Sequence, residues 1–331
     1  MSPPRRPMLL DGGMGHQLKA MGVVIEGQVG TLQRFLGVAM ANVDTPDLVR
    51  DAHLAFIDAG ADMITTNSYA VTPRVFELCT NSNSGGVGNN HKDNNHNNHN
   101  LSLESMLVAA CRAACAARDM RPDRSIRIAG CLPPLAESYR PDLVGTFENN
   151  VQDYRRIVAH LAPYCDVILC ETMSSADEAK AACTAAAEVG LPVYISWTLD
   201  EGKPLLRSGE TLEEAVHALS HVANHHNVKG YLINCTSPES CTQALPILQS
   251  LVSSKKAAGG GNNNVEIDIG VYPNGFVTAC CGHGEYRDLS EKEYYDEFVT
   301  QWLSLGATIV GGCCGIFPRH IAYVRQQLDQ I

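Results

Sequence analysis

Short runs of apolar residues recur eight times along the chain, and most are followed by a longer run with the spacing of an amphipathic helix. Within the short runs the apolar residues are continuous, a pattern typical of parallel strands buried on both faces. The pattern therefore predicts eight parallel strands. These are Pro7–Asp11, Ala61–Asn67, Ile126–Cys131, Asp166–Glu171, Val193–Thr198, Gly230–Asn234, Ile267–Tyr272 and Ala307–Gly311.

The longer runs predict the helices between these strands. Capping residues and glycine stops support several of their ends, such as Thr211 at a start and Gly60 and Gly190 after two others. The predicted helices are Pro46–Ala59, Leu103–Met120, Phe147–Leu161, Ser175–Val189, Leu212–Ala223, Glu239–Ser253, Glu291–Leu305 and Arg319–Leu328. Eight successive strand–helix units favour a single-domain α/β fold, a closed (β/α)8 barrel over residues 1–331, with a doubly wound open sheet as the alternative.

Two segments interrupt this rhythm. Residues 81–100 are rich in Asn, and residues 257–264 are rich in Gly and Asn, so neither has enough apolar side chains to bury. Both are predicted to be disordered surface insertions. His91, His96 and His99 lie in the first one, and we do not expect them to hold a metal, because low-complexity sequence supplies no fixed geometry.

Composition narrows the possible functions. The formal net charge of −11 argues against nucleic-acid binding, which needs a basic surface. No apolar run approaches the roughly 20 residues of a membrane span, and the first residues do not resemble a signal peptide. The 13 cysteines are an odd number, so they cannot all pair within the chain. We therefore expect free thiols, a reducing compartment, a cytoplasmic location and no membrane partner.

Three cysteines occupy the places where a barrel of this kind carries its active site, the C-terminal ends of the strands. Cys235 follows strand six, and Cys313 and Cys314 follow strand eight between glycines that allow both thiols to turn inward. Three thiolates suit Zn²⁺, and a set of only three protein ligands leaves the fourth position open, as in catalytic zinc sites. The sequence thus predicts a zinc site.

Other interpretations of the cysteines remain open at this point. Cys313 and Cys314 could form a redox pair, or the three thiols could simply be buried. Cys280 and Cys281 are a second adjacent pair, and with His283 they offer a competing metal site. If zinc is bound with one open position, a substrate thiol can fill it and become a thiolate nucleophile. The chemistry indicated is methyl transfer to a thiol.

Several motifs together resemble the zinc-dependent homocysteine S-methyltransferase family, and the resemblance covers nearly the whole chain. The GGCC motif after the last strand, with NC two strands earlier, is its most specific element. The matching segments are Leu9–Gly15, Ala61–Tyr69, Asp166–Thr172, Ile195–Gly202, Asn234–Glu239, Gly270–Gly275 and Gly311–Ile321. Membership would imply a zinc-dependent S-methyltransferase that acts on homocysteine.

The resemblance also implies roles for individual residues. Cys235, Cys313 and Cys314 resemble the zinc ligands and the catalytic centre. Asp11 resembles a residue that holds the amino acid group of homocysteine, and Glu171 the carboxylate that pairs with its ammonium group, where a charge-assisted hydrogen bond is strong. The remaining residues that the resemblance places near the substrate are Gly12, Gly13, Asn67, Ser68 and Asn234. For Asn234, orientation of a ligand and capping are alternative roles.

The methyl donor is the open question. Gln17, the segment Phe35–Ala41 and Gly315 depart from the family pattern, and the first two bear on the donor. The chain resembles the group that uses S-methylmethionine or S-adenosylmethionine, with betaine use or a non-catalytic zinc-binding barrel as alternatives. Tyr69, Trp197 and Tyr272 could surround a cationic donor or could pack the barrel. We expect small-molecule partners, namely homocysteine and the donor, and a monomer or homodimer.

Overall fold

The computed structural model describes residues 6–81, 101–258, 266–275, 287 and 289–330. Within them, eight parallel strands form one sheet, in the order β1-β8-β7-β6-β5-β4-β3-β2. A parallel bridge between Leu10 and Met63 joins β1 to β2, so the sheet closes into a barrel. The strands are β1 (Met8–Leu9), β2 (Met63–Thr65), β3 (Arg127–Leu132), β4 (Val167–Met173), β5 (Val193–Trp197), β6 (Val228–Asn234), β7 (Asp268–Tyr272) and β8 (Ile309–Val310).

Helices surround the barrel. They are α1 (Met14–Ala20), α2 (Leu32–Asp44), α3 (Pro46–Asp58), α4 (Pro73–Asn81), α5 (Leu103–Asp119), α6 (Phe147–Leu161), α7 (Ala176–Glu188), α8 (Leu212–Leu219), α9 (Pro238–Ala258), α10 (Glu291–Glu293), α11 (Thr300–Ser304) and α12 (Pro318–Leu328). A π-helical turn, Tyr294–Val299, lies between α10 and α11. Short 3-10 turns occur at Pro141–Leu143, Ala162–Tyr164 and His225–Asn227.

The closed (β/α)8 barrel and the eight strands predicted from the apolar runs are confirmed. Helix starts also follow the predicted capping, because the side chain of Ser175 accepts the N–H of Glu178 and Thr211 forms a capping box with Glu214. The predicted helix from Leu212 ends earlier than expected, at Leu219, where Ser220 and Val222 turn back with short-range hydrogen bonds.

Other differences concern the segments between strands. Helices α1, α2 and α4 were not predicted, and they lie in the connections that follow β1 and β2. The predicted helix over 291–305 is interrupted by the π-helical turn. Helix α9 runs to Ala258, so it takes in the first two residues of the loop predicted at 257–264. Residues 82–100 and 259–264 lie outside the described residues, and their predicted disorder stays a prediction.

Two apolar layers hold the barrel and leave one end polar. Inside the barrel, a small cluster that includes Leu10, Met63, Leu169, Leu232 and Ile309 fills the centre. A much larger cluster lies between the outer face of the sheet and the helices. Because apolar side chains close the middle of the barrel, the polar residues at the C-terminal ends of the strands surround a separate cavity.

Two expectations drawn from composition can be compared with the described residues. All eleven cysteines among them are free thiols, as predicted. No helix in this part of the chain is long and apolar enough to cross a membrane.

Candidate metal and substrate site

The three thiols predicted to bind zinc come together at the C-terminal end of the barrel. Cys235 follows β6 directly, and Cys313 and Cys314 follow β8, which β7 separates from β6. Their sulfur atoms all lie within 4.8 Å of one another. Three sulfurs bound tetrahedrally to one Zn²⁺ at about 2.3 Å would be about 3.8 Å apart, so small side-chain movements suffice for coordination. The donor set and the spacing therefore fit a zinc ion.

Glycines bring the loop after β1 against the loop after β8. A Cβ atom on Gly12 would lie 2.4 Å from the carbonyl oxygen of Ile316, and one on Gly13 would lie 2.7 Å from that of Cys313. The N–H of Gly13 donates to Ile316 at 2.9 Å, and the N–H of Gly312 donates to Asp11 at 2.9 Å. Only glycine permits this approach, and the approach sets Asp11 near the thiols.

The thiol cluster is itself polarised. Hydrogen bonds from Cys235 and Cys313 hold the pKa of Cys314 well below its usual range. The hydrogen bonds that Cys313 makes with Cys235 and Cys314 raise the pKa of Cys313 well above its usual range. Cys235 has a backbone φ of +48°, a left-handed conformation that is uncommon for a residue with a side chain. Such local strain is typical of functional sites.

Two buried carboxyl groups, Asp11 and Glu171, face the same cavity as the thiols. Asp11 accepts the N–H of Thr65 at 2.7 Å, while Glu171 accepts the thiol of Cys131 and the hydroxyl of Tyr272, each at 3.3 Å. Burial raises the pKa of Asp11 to about 8 and that of Glu171 to about 7. Among the described residues neither carboxyl group has an ion-pair partner, so a cationic ligand group would stabilise their charged forms.

These residues, combined with sequence comparisons, identify the family. The model of the family described as homocysteine S-methyltransferase matches residues 8–328. The chain belongs to the homocysteine S-methyltransferase family. It is therefore an S-methyltransferase, and homocysteine is the methyl acceptor of its family.

Relatives of this methyltransferase match it along almost its full length. Homocysteine S-methyltransferase 1 of Arabidopsis thaliana is 25% identical and covers 97% of this chain and 93% of its own. Homocysteine S-methyltransferase of Escherichia coli (strain K12) is 27% identical, covering 96% and 94%. The crystal structure of the homocysteine methyltransferase MmuM from Escherichia coli in its metallated form has a TM-score of 0.73 at 23% identity, covering 98% and 97%. That structure shares the barrel fold.

Asn234 contacts the strand ends rather than the cavity of the methyltransferase. Its Oδ1 accepts the N–H of Thr172 at 2.9 Å and the hydroxyl of Ser196 at 2.7 Å, and its Nδ2 donates to the hydroxyl of Thr172 at 2.8 Å. Thr172 has a φ of +63° and follows Glu171 directly. Asn234 thus holds the turn that points Glu171 into the cavity, a supporting contact of the kind that orients active-site residues.

Asn67 and Ser68 differ in their relation to the cavity. Asn67 lines it, but its side-chain amide donates to Asn42 at 3.0 Å and to the carbonyl oxygen of Val38 at 3.3 Å, so it fastens α2 over the barrel end. Ser68 is fully buried and donates to the carbonyl oxygen of Cys131 at 3.0 Å. Of the predicted substrate residues, Ser68 and Asn234 do not line the cavity, and their roles toward substrate stay predictions.

The cavity at the C-terminal ends of the strands has a volume of about 120 Å³, and we call it the mouth cavity. The three thiols, Asp11 and Glu171 all line it, as do residues that were not predicted for the site. Those include His16 on α1, Arg34 on α2, and Ser138 and Tyr139 after β3. They lie in connections without a clear strand or helix pattern, so no periodic signal places them near the strand ends.

The aromatic residues suggested for a cationic donor divide into two groups. Tyr69 and Tyr272 line the mouth cavity, and the hydroxyl of Tyr69 bonds that of Ser138 at 2.6 Å. Trp197 is fully buried and packs against Tyr231, with ring centroids 5.7 Å apart, so it belongs to the barrel packing. The competing metal residues Cys280, Cys281 and His283 lie outside the described residues.

Proposed function

We propose that this chain transfers a methyl group from S-methylmethionine to the sulfur of L-homocysteine, with a zinc ion held by Cys235, Cys313 and Cys314. The bond between the donor sulfur and its methyl carbon breaks as the bond from that carbon to the acceptor sulfur forms. The sulfonium of the donor becomes a thioether, the acceptor also becomes methionine, and the acceptor's thiol proton leaves to solvent. The cluster of three sulfurs beside two carboxyl groups without an ion-pair partner carries this proposal.

The thiol cluster supplies the means to activate the acceptor. Three cysteine ligands leave one position of a tetrahedral metal open for a fourth sulfur. When bound to the three cysteines, zinc would act as a Lewis acid that keeps a substrate thiol deprotonated at neutral pH. Gly12 and Gly13 let the loop after β1 approach the loop that carries Cys313 and Cys314 closely.

The two carboxyl groups supply orientation. Asp11 and Glu171 are buried, and an ammonium group placed between them would offset the cost of burying their charges. Binding the ammonium group of homocysteine there would direct its short side chain toward the sulfurs on the same cavity. Holding the thiol at a fixed distance from the donor lowers the entropic part of the barrier. A zinc store or a cysteine redox pair has no use for these carboxyl groups.

The mouth cavity also favours a compact, cationic donor. Tyr69 and Tyr272 present aromatic rings, which attract a sulfonium or quaternary ammonium group. S-methylmethionine carries such a sulfonium on a compact amino acid. Betaine is equally compact and is the alternative donor. Both donors carry a cationic centre that these aromatic rings can surround.

The first experiment combines metal analysis with a donor comparison. Elemental analysis of protein purified under reducing conditions is expected to give about one zinc per chain. Methionine formation from homocysteine is then measured with S-methylmethionine, S-adenosylmethionine and betaine in parallel, and we expect turnover with S-methylmethionine. Turnover with betaine alone would mean that betaine, and not S-methylmethionine, is the donor. Stoichiometric zinc without methionine from any donor would overturn the proposed reaction.

A further inference from the structure

Arg34 is a buried cation that pairs with no carboxylate among the described residues. It lies in the first turn of α2, is 7% exposed and lines the mouth cavity. Its side chain makes no hydrogen bond and no ion pair with any of the described residues. By contrast, the side chains of Arg207 and Arg325 are similarly buried, and they pair with Glu201 at 3.4 Å and Asp62 at 2.9 Å.

Because Arg34 lines the cavity and forms no salt bridge with the described residues, its charge is available to an anionic ligand there. The charge of Arg34 already acts on the surrounding groups. Burial, followed by the charge of Arg34, lowers the pKa of His16 to about 3, so the neighbouring histidine is neutral and adds no second cation.

The donors of a guanidinium form a planar fork that matches a carboxylate through two parallel hydrogen bonds. Asp11 and Glu171 line the same cavity, yet neither forms an ion pair with Arg34. The cavity therefore offers separate places for a cation and for a carboxylate, together with a place for sulfur. An amino acid that carries sulfur has all three groups.

We propose that Arg34 binds the α-carboxylate of an amino acid substrate in the mouth cavity. This inference rests on the proposed function, because homocysteine and S-methylmethionine both carry such a carboxylate. With the ammonium group at Asp11 and Glu171 and the thiol at the three cysteines, Arg34 would complete a three-point recognition of homocysteine. If Arg34 instead holds the donor, it selects donors with a carboxylate. Arg34 stands directly before Phe35–Ala41, where the sequence departs from the family pattern.

The test compares substrates with and without the carboxylate. Arg34→Gln and Arg34→Lys are prepared in the zinc-loaded enzyme, with Arg155→Gln as the matched control, because Arg155 forms an exposed ion pair with Glu188 on the outside of the barrel. Calorimetric titration measures the Kd of homocysteine and of 3-aminopropane-1-thiol, its analogue without the carboxylate. The KM of S-methylmethionine and of (3-aminopropyl)dimethylsulfonium is measured separately.

If Arg34 holds the acceptor, Arg34→Gln should raise the Kd of homocysteine by about 10- to 100-fold, which is the range for a hydrogen bond to a charged group. The Kd of 3-aminopropane-1-thiol should not change, and Arg34→Lys should fall between, since lysine keeps the charge but not the fork. If Arg34 holds the donor, the KM of S-methylmethionine should rise instead, with the carboxylate-free sulfonium unaffected.

Equal weakening of the acid and of its carboxylate-free analogue would overturn the inference, because it would mean that Arg34 acts through the shape of the cavity. Unchanged affinity for all four compounds would overturn it as well. The melting temperature without ligand should change little in Arg34→Gln, because Arg34 makes no hydrogen bond or ion pair with the described residues that the variant would break. Wild-type protein that forms no methionine would refute the proposed function alone, since the two Kd values can still be compared.

Discussion

The acidic residues at the two ends of the barrel have different kinds of partner. At the N-terminal ends of the strands, Asp62 accepts the N–H of Leu9 at 2.8 Å and pairs with Arg325 at 2.9 Å. Asp268, the first residue of β7, accepts the hydroxyl of Tyr194 at 3.0 Å. At the C-terminal ends, Asp11 and Glu171 are buried without a cation among the described residues. Asp62 thus has an ion-pair partner within the protein, whereas the described residues supply none to Asp11 or Glu171.

Backbone conformation follows the same division. Four residues other than glycine have a positive φ in the described part of the chain, and three of them, Tyr139, Thr172 and Cys235, lie around the C-terminal ends of the strands. The fourth, Asn224, precedes a surface 3-10 turn. Strained backbone and unpaired charge both cost stability, so their concentration at one end indicates that the fold tolerates them there for function.

The largest difference between the ends should appear when a sulfur is removed. Cys314→Ser is expected to lose zinc and to lower methionine formation by more than about 100-fold, because residues that merely support a metal ligand already cost about 10- to 100-fold. Elemental analysis and the methionine assay measure both effects. Thermal unfolding should stay cooperative, since the thiols lie at the barrel end and outside its apolar centre.

Cys241→Ala is the matched control for that experiment. Cys241 is a fully buried thiol on α9 that does not line the mouth cavity, so its loss should lower the melting temperature without releasing zinc. Loss of the cooperative transition in Cys314→Ser would instead mean that the metal holds the fold together. Retention of zinc and full turnover would remove Cys314 from the site.

A pair of acids, one from each end, gives the next contrast. Glu171→Gln keeps the shape but removes the charge, and it should raise the KM for homocysteine by about 10- to 100-fold through loss of the ammonium contact. Asp268→Asn should leave KM unchanged and lower the free energy of unfolding by about 1–3 kcal/mol, because it disturbs hydrogen bonds from Tyr194 and Thr308. An unchanged KM in Glu171→Gln together with a raised KM in Asp268→Asn would contradict the division between the ends.

The sequence predicted the strands and the thiols for the same physical reason. Strands buried on both faces must be continuously apolar, and their ends must then change to polar residues, which places Asp11, Glu171 and Cys235 at the barrel end. What the sequence did not predict lies in the connections. Helix α2 contains Gly37, and its N-cap residue Thr31 makes no side-chain capping hydrogen bond, so its helical signal is weak. No signal in the sequence therefore placed Arg34, which lies in that helix, near the strand ends.

Two other residues show the same limit. Tyr139 lies in a connection with a left-handed backbone, and no periodic pattern specifies where such a loop packs. Asn234 was considered as a residue that orients a zinc ligand, but its amide contacts Thr172 and Ser196 on neighbouring strands. These contacts join residues about 40 to 60 positions apart, and only the closed barrel brings them together.

The pH dependence of stability offers a third contrast, to be measured on zinc-free and ligand-free protein. The pKa of Asp11 is raised by burial from 3.8 to about 8, so the folded state binds this proton more tightly than the unfolded state. Its contribution to stability is therefore complete below pH 3.8 and is lost as pH rises through 8, at roughly 1.4 kcal/mol per pH unit at most. Denaturant unfolding of wild type and Asp11→Asn across pH 5–8 measures the free energy of unfolding at each pH. We expect the decrease of this free energy with rising pH to be smaller in the variant by the contribution of Asp11. An identical slope in both proteins would mean that Asp11 is charged in the fold.

The smallest expected effect concerns the hydroxyl of Tyr139, which lies beside the thiol cluster. Tyr139 interacts with Cys235, and the guanidinium of Arg207 lies over its ring, 4.9 Å from the centroid. Arg207 pairs with Glu201, which in turn accepts the N–H of Ser237 in the loop that follows Cys235. This chain of contacts connects both sides of Cys235, so it should keep the thiol oriented.

Tyr139→Phe keeps the ring over Arg207 and removes only the hydroxyl. We expect zinc affinity, measured by competition with a chelator, to fall by about 3- to 10-fold, the usual range for one neutral hydrogen bond. Tyr154→Phe is the control, because the hydroxyl of Tyr154 bonds the carbonyl oxygen of Pro133 outside the cavity, and its loss should change stability but not zinc affinity. Equal zinc affinity in wild type and Tyr139→Phe would assign Tyr139 to the packing of the loop. A fall in zinc affinity in Tyr139→Phe but not in Tyr154→Phe would mean that the C-terminal end of the barrel differs from the rest also in residues that only support the thiols.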